Sequence, residues 1–288
     1  MTLFLGALVA CGSSDGGGDG GSSGGISGDG AGDGGSSGGI SGDGDSGGSG
    51  GTLSASRYGH LSLTEFEDES GASMVSASAS FLRYSEPLAW RHDFLEDLIG
   101  ECLVEDGASD NSGLPDIGPD DEEDTVSLDA GEPLTIKRDG ELYLTLDKLS
   151  FAGIITYNSD IVPGPMPSAL TLNVPGGDFV AVDDLSVAGV DSMSVTAPAA
   201  GEAVRYDTVF SWQAGSDGDA VVLIVASSGD SSVTCYTDDD GSFSFPQDVQ
   251  NELGTAFLSD SFDIQRVKAE LFYLDDDTAL AVWSMSMR

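Results

Sequence analysis

The sequence predicts an all-β protein in which two antiparallel β-sandwiches follow a glycine-rich tether. Three observations lead to this prediction. Beyond residue 52, short segments alternate apolar and polar residues, Gly- and Asp-rich turns separate these segments, and long helical periodicity is missing. The 288 residues suffice for one large or two small domains of roughly 100 to 200 residues each.

The chain begins with an uncharged apolar run, residues 2–10, which is typical of the hydrophobic part of a secretory signal peptide. The run is far shorter than the roughly 20 residues that a membrane-spanning helix needs. Residues 8–11, Leu-Val-Ala-Cys, resemble the lipobox of bacterial lipoproteins. The resemblance implies that residues 1–10 are removed and that Cys11 is acylated, so that the chain is anchored in a lipid bilayer.

Two details of this segment lead to further expectations. No Lys or Arg precedes the apolar run, so we expect the true start to lie upstream of Met1. Gly12 follows Cys11 where an inner-membrane retention signal would place Asp, which favours the outer membrane, with the body periplasmic or at the surface. An ordinary signal peptide with an incidental cysteine is the alternative.

A tether follows the lipobox cysteine. Residues 12–51 contain 21 Gly, 10 Ser and 6 Asp, and residues 19–30 recur unchanged as residues 33–44. No core can form from this composition, because Gly loses the most entropy on ordering and nothing apolar compensates. Residues 11–51 are therefore predicted to be a disordered tether with an r.m.s. span of about 35 Å.

The first β-rich domain is predicted over residues 52–195. Apolar residues occupy every second position from 75 to 81. Segments 134–138 and 142–146 flank Asp139-Gly140, a dipeptide that favours a two-residue hairpin turn of type I′. We therefore expect a β-hairpin at this position.

Three other segments interrupt the strands. Residues 88–99 permit either a short helix or an irregular segment, and residues 107–124 form an acidic loop. Residues 246–253 begin with Pro and are followed by Gly254, the expected start and stop signals of a helix.

The second domain is predicted over residues 196–288, because residues 196–201, Thr-Ala-Pro-Ala-Ala-Gly, interrupt the strand pattern. Its strands are predicted at 209–212, 220–226, 233–236, 242–245, 262–274 and 279–285.

The carboxy-terminal part of the chain resembles a module of uncharacterised secreted and lipid-anchored proteins of Gram-negative bacteria. The motifs that carry the resemblance are Phe210-Ser-Trp212, the apolar run 221–225, Val233-Thr-Cys235 and residues 240–246. The resemblance covers about 90 residues of the chain. It implies an immunoglobulin-like sandwich and an exported location, and it implies no activity.

The charge balance excludes one class of partner. The chain carries 50 Asp and Glu against 10 Lys and Arg, a formal charge of −40. Nucleic-acid binding is therefore not expected, because it depends on Lys and Arg that neutralise phosphates. Beyond residue 51 the body still carries 44 acids and 10 bases, a charge of −34. We expect a saline habitat in which salt screens this repulsion.

After lipidation two cysteines remain, Cys102 and Cys235. An even number of cysteines in an exported chain permits a disulfide between them. The alternative is that both are small buried side chains on strands.

Two acidic turns are calcium candidates. Asp238 and Asp240, and likewise Asp275 and Asp277, offer the hard oxygen ligands that calcium requires. Both groups also fall between predicted strands, where Asp is a common turn former, so solvated turns are the alternative. Calcium is the one cofactor that these residues suggest, since no His or Cys pair has transition-metal spacing.

Catalysis is not expected. His60 and His92 are the only histidines, and no nucleophile motif lies near either. A group of aromatic residues suggests either a carbohydrate platform or sandwich core, and core is the expected role of Trp212 and Trp283. The group is Trp90, Trp212, Trp283, Tyr206, Tyr236 and Tyr273.

These observations favour a monomeric, non-enzymatic envelope lipoprotein that acts as an interaction or structural module. Its protein or glycan partner is not identified by any motif. The two alternatives are a calcium-dependent adhesion or carbohydrate-binding module and an envelope hydrolase.

Overall fold

The computed structural model describes residues 53–90, 94–106, 125–199, 201–216, 218–228, 231–259 and 261–288. These residues are mostly strand, which confirms the all-β prediction. The strands are β1 (Leu53–Glu67), β2 (Ser73–Trp90), β3 (Cys102–Asp106), β4 (Val126–Ser127), β5 (Leu134–Arg138), β6 (Glu141–Phe151), β7 (Ile154–Ser159), β8 (Val162–Pro163), β9 (Ala169–Val174), β10 (Val182–Ala188), β11 (Val195–Ala197), β12 (Val204–Arg205), β13 (Val209–Trp212), β14 (Val221–Ser228), β15 (Ser231–Asp238), β16 (Ser242–Ser244), β17 (Leu258–Ser259), β18 (Ser261–Asp275) and β19 (Thr278–Met287). The helices are α1 (Phe94–Asp97) and α2 (Gln247–Leu253).

Fourteen of these strands form one large sheet. Its order is β10-β9-β5-β6-β7-β2-β1-β19-β18-β14-β15-β3, and β4 and β8 also pair with β2. Neighbouring strands are antiparallel except at the centre, where β1 and β19 run parallel from Arg57 opposite Thr278 to Glu65 opposite Ser286. Two small sheets, β11-β13-β16 and β12-β17, complete the described structure.

The first core lies on one face of the β10-to-β19 half of the sheet. The predicted alternation in β2 is found, since Val75, Ala77, Ala79 and Phe81 are all buried. The side chain of Phe81 meets the ring of Tyr157 at 5.5 Å between centroids, edge to face. Burial of this apolar face stabilises the sheet by roughly 25 cal/mol for each Å² removed from water.

The β14 strand is buried on both faces. Its even residues, such as Ile224, pack with Phe210 and Trp212 of the three-stranded sheet, which forms the second layer of a sandwich. Its odd residues, such as Leu223, pack with Trp283 of β19 on the opposite face. A continuous apolar run is the expected sequence of such a strand, because neither face meets water.

The two predicted domains share the one large sheet. The described residues all belong to a single compact unit, and β1 and β3 from the first predicted domain pair with β19 and β15 from the second. The boundary predicted between residues 195 and 196 therefore falls within strand β11 of one body. Long-range strand pairing leaves no signal in the local composition on which that boundary was based.

Polar side chains of the large sheet hold the segment that joins β10 to β11. The amide of Ala188 donates to Glu270 Oε2 at 2.7 Å, and the hydroxyl of Ser284 donates to the Ala188 carbonyl at 2.6 Å. The amide of Met193 donates to Ser286 Oγ at 2.7 Å. The joining segment is thus fixed to β18 and β19.

The predicted hairpin at Asp139-Gly140 and the predicted helix over 246–253 are both found. The β5–β6 hairpin closes through Asp139 and Gly140, both at positive φ (53° and 80°), as a type I′ turn requires. Helix α2 lies within the predicted range 246–253 and is followed by Gly254, its C-cap. Over 88–99, β2 continues to Trp90 and Phe94–Asp97 forms a short helix, so the short helix permitted there occupies only part of the range.

Several predicted features lie outside the described residues. They are the signal peptide (1–10), Cys11 and its tether (11–51), His92 and the acidic loop 107–124. Within the described part of the chain, neither helix has the length or apolarity that a membrane span requires.

Candidate functional site

A disulfide joins the edge strand β3 to β15. Cys102 and Cys235 are directly opposite in the strand register, and their Sγ atoms are bonded at 2.08 Å. The bond links positions 133 residues apart, and Cys235 is completely buried. The bridge fixes an edge of the large sheet to the second half of the chain.

The first acidic turn directs its middle carboxylate inwards. Asp239, which lies between the calcium candidates Asp238 and Asp240, accepts hydrogen bonds from Trp212 Nε1 at 2.7 Å and from the Gly215 amide at 2.9 Å. The carboxylate of Asp240 instead accepts the Ser242 amide of its own turn at 3.1 Å. The turn therefore uses two of its three acids within the protein.

Arg266 of β18 completes the environment of Asp239. Its guanidinium donates to both carboxylate oxygens, Nε to Oδ2 at 2.7 Å and Nη2 to Oδ1 at 3.0 Å. The remaining donors reach the carbonyls of Asp191, Ser192 and Gln213. The buried charges are thus paired and hydrogen-bonded, which is the condition for burying them without a large penalty.

The second acidic turn is also bound within the protein. Asp277 accepts hydrogen bonds from the Ser56 amide at 3.0 Å and the Ser56 hydroxyl at 2.8 Å, and these bonds, with nearby Arg57, hold the pKa of Asp277 below its usual value. Asp275 accepts the amide of Asp277 at 2.9 Å. The described residues contain no group of three His, Cys, Asp or Glu placed to hold a metal ion.

His60 lies on the face of β1 that packs against Trp283. The two ring centroids are 6.1 Å apart in an edge arrangement. Burial lowers the pKa of His60 to about 4, because the charged imidazolium is poorly solvated there. At neutral pH this histidine is uncharged and packed against an indole, an environment typical of a structural side chain.

The aromatic residues divide between the cores. Trp212 belongs to the sandwich core, and Trp283 and Tyr236 belong to the core on the other face of β14. Tyr206 and Tyr273 are partly buried and pack against these cores. The side chain of Trp90 lies outside the described part. The expected core role of Trp212 and Trp283 is therefore found.

The β6–β7 hairpin ends in an exposed apolar surface that sequence reasoning missed. We call residues 149–154 the apolar tip. Phe151 is 85% exposed, Leu149 57% and Ile154 44%, and strand register places the three side chains on one face. Ala152 and Gly153 form the turn at positive φ. The signal in the sequence is an uncharged run from 149 to 156 within a very acidic chain.

The apolar tip projects beyond the neighbouring strands. Among the described strands, β5 pairs with β6 only as far as Leu146, and β2 pairs with β7 only at residues 156–158. Residues 150–154 are therefore a two-stranded projection, and Leu149 lies at its base opposite Thr156, which still pairs with Ser80 of β2. Residues 149–156 contain no charged side chain, and the neighbouring Lys148 is paired with Asp129 at 2.7 Å.

No protein-family model, curated protein or solved structure matches this chain. The described residues themselves offer a disulfide, carboxylates bound within the protein, and one projecting apolar tip.

Proposed function

We propose that this protein is a non-enzymatic interaction or structural module of a bacterial cell envelope, anchored to the outer membrane through acylated Cys11. Its body is an immunoglobulin-like β-structure at the end of a flexible tether. The observation that carries the interaction role is the exposure of Phe151 on the apolar tip, since large apolar side chains this exposed mark contact surfaces when they cluster.

The exported location is supported by the cysteines. A structural disulfide between Cys102 and Cys235 is favoured in an oxidising compartment such as the periplasm or cell surface and is rare in the cytosol. The remaining cysteine of the chain, Cys11, stands at the end of the lipobox-like sequence. Two independent features thus agree on export.

Mass spectrometry of the mature amino terminus tests the anchor. We expect native material to begin at Cys11 with a diacylglycerol thioether and an acylated amine, and to partition with membranes. The Cys11→Ser variant, as a control, should lose the lipid and the membrane association. Native protein that is water-soluble and carries no acyl group would overturn the proposal.

A further inference from the structure

We propose that the apolar tip of the β6–β7 hairpin inserts into the headgroup region of a lipid bilayer. This inference rests on the proposed function and names the surface that the body presents to the lipid. The residues that would enter the bilayer interface are Leu149, Phe151 and Ile154, which share one face of the projection.

The area of the apolar tip argues against a second copy of the chain or another large protein as occupant. A stable protein interface buries about 800 Å² on each partner, whereas a large side chain such as Phe151 contributes on the order of 200 Å². Charge argues against self-association as well, because two bodies of −34 repel each other. A bilayer requires neither a large matching area nor shape complementarity.

The backbone of the apolar tip limits how deeply it can enter a bilayer. Phe151 lies opposite Ile154 and Leu149 lies opposite Thr156 in the antiparallel ladder, so the amide and carbonyl groups that face the partner strand are paired almost to the turn. The groups that point away from the partner strand gain no bond from this pairing and need water, because open sheet edges are too costly in the hydrocarbon core, so insertion stops in the hydrated headgroup region. No charged side chain lies between residues 149 and 156, so insertion buries no charge.

Because a tether holds the body near the membrane, weak insertion of the apolar tip is enough to keep it bound there. The Gly-rich segment between Cys11 and the body has an expected span of about 35 Å, which confines the body to the neighbourhood of the anchored surface. Flexible linkage on this scale produces effective concentrations in the millimolar range, so that a small apolar contact can be largely occupied. The acidic body should favour zwitterionic over anionic lipid.

The experiment uses the full chain, coupled through Cys11 to maleimide-headgroup lipid in phosphatidylcholine vesicles. Cys11 is the only cysteine outside the disulfide, so coupling is specific and does not depend on native acylation. Phe151→Trp places a fluorophore on the apolar tip. Leu142→Trp is the matched control, because Leu142 is 65% exposed on the same strand and lies about 30 Å away along β6.

Brominated phosphatidylcholine quenches tryptophan that enters the bilayer. We expect the fluorescence added by Phe151→Trp to be quenched, because tryptophan settles at the membrane interface, and that added by Leu142→Trp to stay unchanged, each measured against the unsubstituted protein. Replacing part of the lipid with phosphatidylglycerol should reduce the quenching of the Phe151→Trp protein.

Equal quenching of the two variants, or none in either, would overturn the proposal. Retention of an envelope protein on immobilised full chain that is lost in Phe151→Asp, without quenching in vesicles, would overturn it in favour of a protein partner. The mass of the native amino terminus is a separate measurement, so failure of the anchor and failure of insertion can be told apart.

Discussion

The guanidinium of Arg266 and the carboxylate of Asp239 form a two-bond ion pair inside the sandwich, with side chains only 1% and 4% exposed. The pair connects β18 to the β15–β16 turn. The ion pair also binds the Trp212 indole and three backbone carbonyls. It therefore connects the segments around residues 191–192 and 213 to the turn that carries Asp239.

Removing one partner of this pair should be costly. Asp239→Asn leaves the guanidinium of Arg266 buried without a countercharge, and we expect a loss of about 3 to 5 kcal/mol in the free energy of unfolding. Asp238→Asn removes the same charge from the exposed neighbouring position and should change stability by less than about 0.5 kcal/mol. Urea unfolding of both variants measures the difference, and similar losses would contradict the structural role of the pair.

Acid should destabilise the protein through His60. The native pKa of about 4 lies below the usual value of about 6.5, so the unfolded chain binds more protons between these two pH values. Stability from this group is therefore present above pH 6.5 and falls as the pH drops towards 4. We expect His60→Gln to lose less stability than the wild type between pH 7 and 5 in denaturant titrations. Parallel pH profiles would show that His60 is not the cause.

Gly59 allows close packing between β1 and its neighbours. A Cβ at this position would lie 2.8 Å from a methyl carbon of Leu280 and 2.9 Å from the ring of Phe81. Gly59→Ala should therefore destabilise the protein by about 1 to 3 kcal/mol through overpacking. Gly218→Ala is the control, since a Cβ there meets nothing within 4 Å. If both variants have melting temperatures at or above that of the wild type, the close packing of Gly59 against Leu280 and Phe81 is refuted.

Loss of the disulfide should lower stability strongly. The bond between Cys102 and Cys235 closes a loop of 133 residues, for which the chain-entropy account gives about 5 kcal/mol. We expect the double Cys→Ala variant to unfold at lower urea concentration and to be insensitive to dithiothreitol, whereas the reductant should destabilise the wild type. If dithiothreitol releases free thiols in the wild type but leaves its stability to urea unchanged, this expectation is contradicted.

Salt should stabilise the body. Its charge of −34 produces repulsion that an ionic strength of about 0.1 M screens beyond about 10 Å. We expect the melting temperature to rise steadily as sodium chloride is added, and to rise equally with potassium chloride if screening is responsible. A flat or falling melting curve would count against the saline-habitat hypothesis.

The features that could be predicted are those that depend on neighbouring residues. Asp139-Gly140 defines its hairpin because both positions must adopt positive φ, and the alternation around Phe81 identifies one face of β2. The parallel pairing of β1 with β19 could not be predicted, because the paired residues are about 220 positions apart and no local pattern records the partner.

In the candidate site, too, the sequence predicts only what depends on neighbouring residues. The cysteine count permits either a disulfide or two buried thiols, because it does not reveal the strand register that places Cys102 opposite Cys235. Within the Asp238–Asp240 turn, composition could not tell which carboxylate faces inwards, since that depends on where Arg266 lies in the folded sheet. The apolar tip was missed because Phe151 resembles a core residue until its exposure is known.

The central parallel pair has a consequence for synthesis. While the ribosome is still translating, β1 can add β2 on one side, but its other edge has no partner until residues 278–287 have emerged. During that interval an unpaired edge beside apolar Leu61 and Leu63 is open to aggregation. A chain built this way is therefore expected to need protection from aggregation until β19 is available to pair with β1.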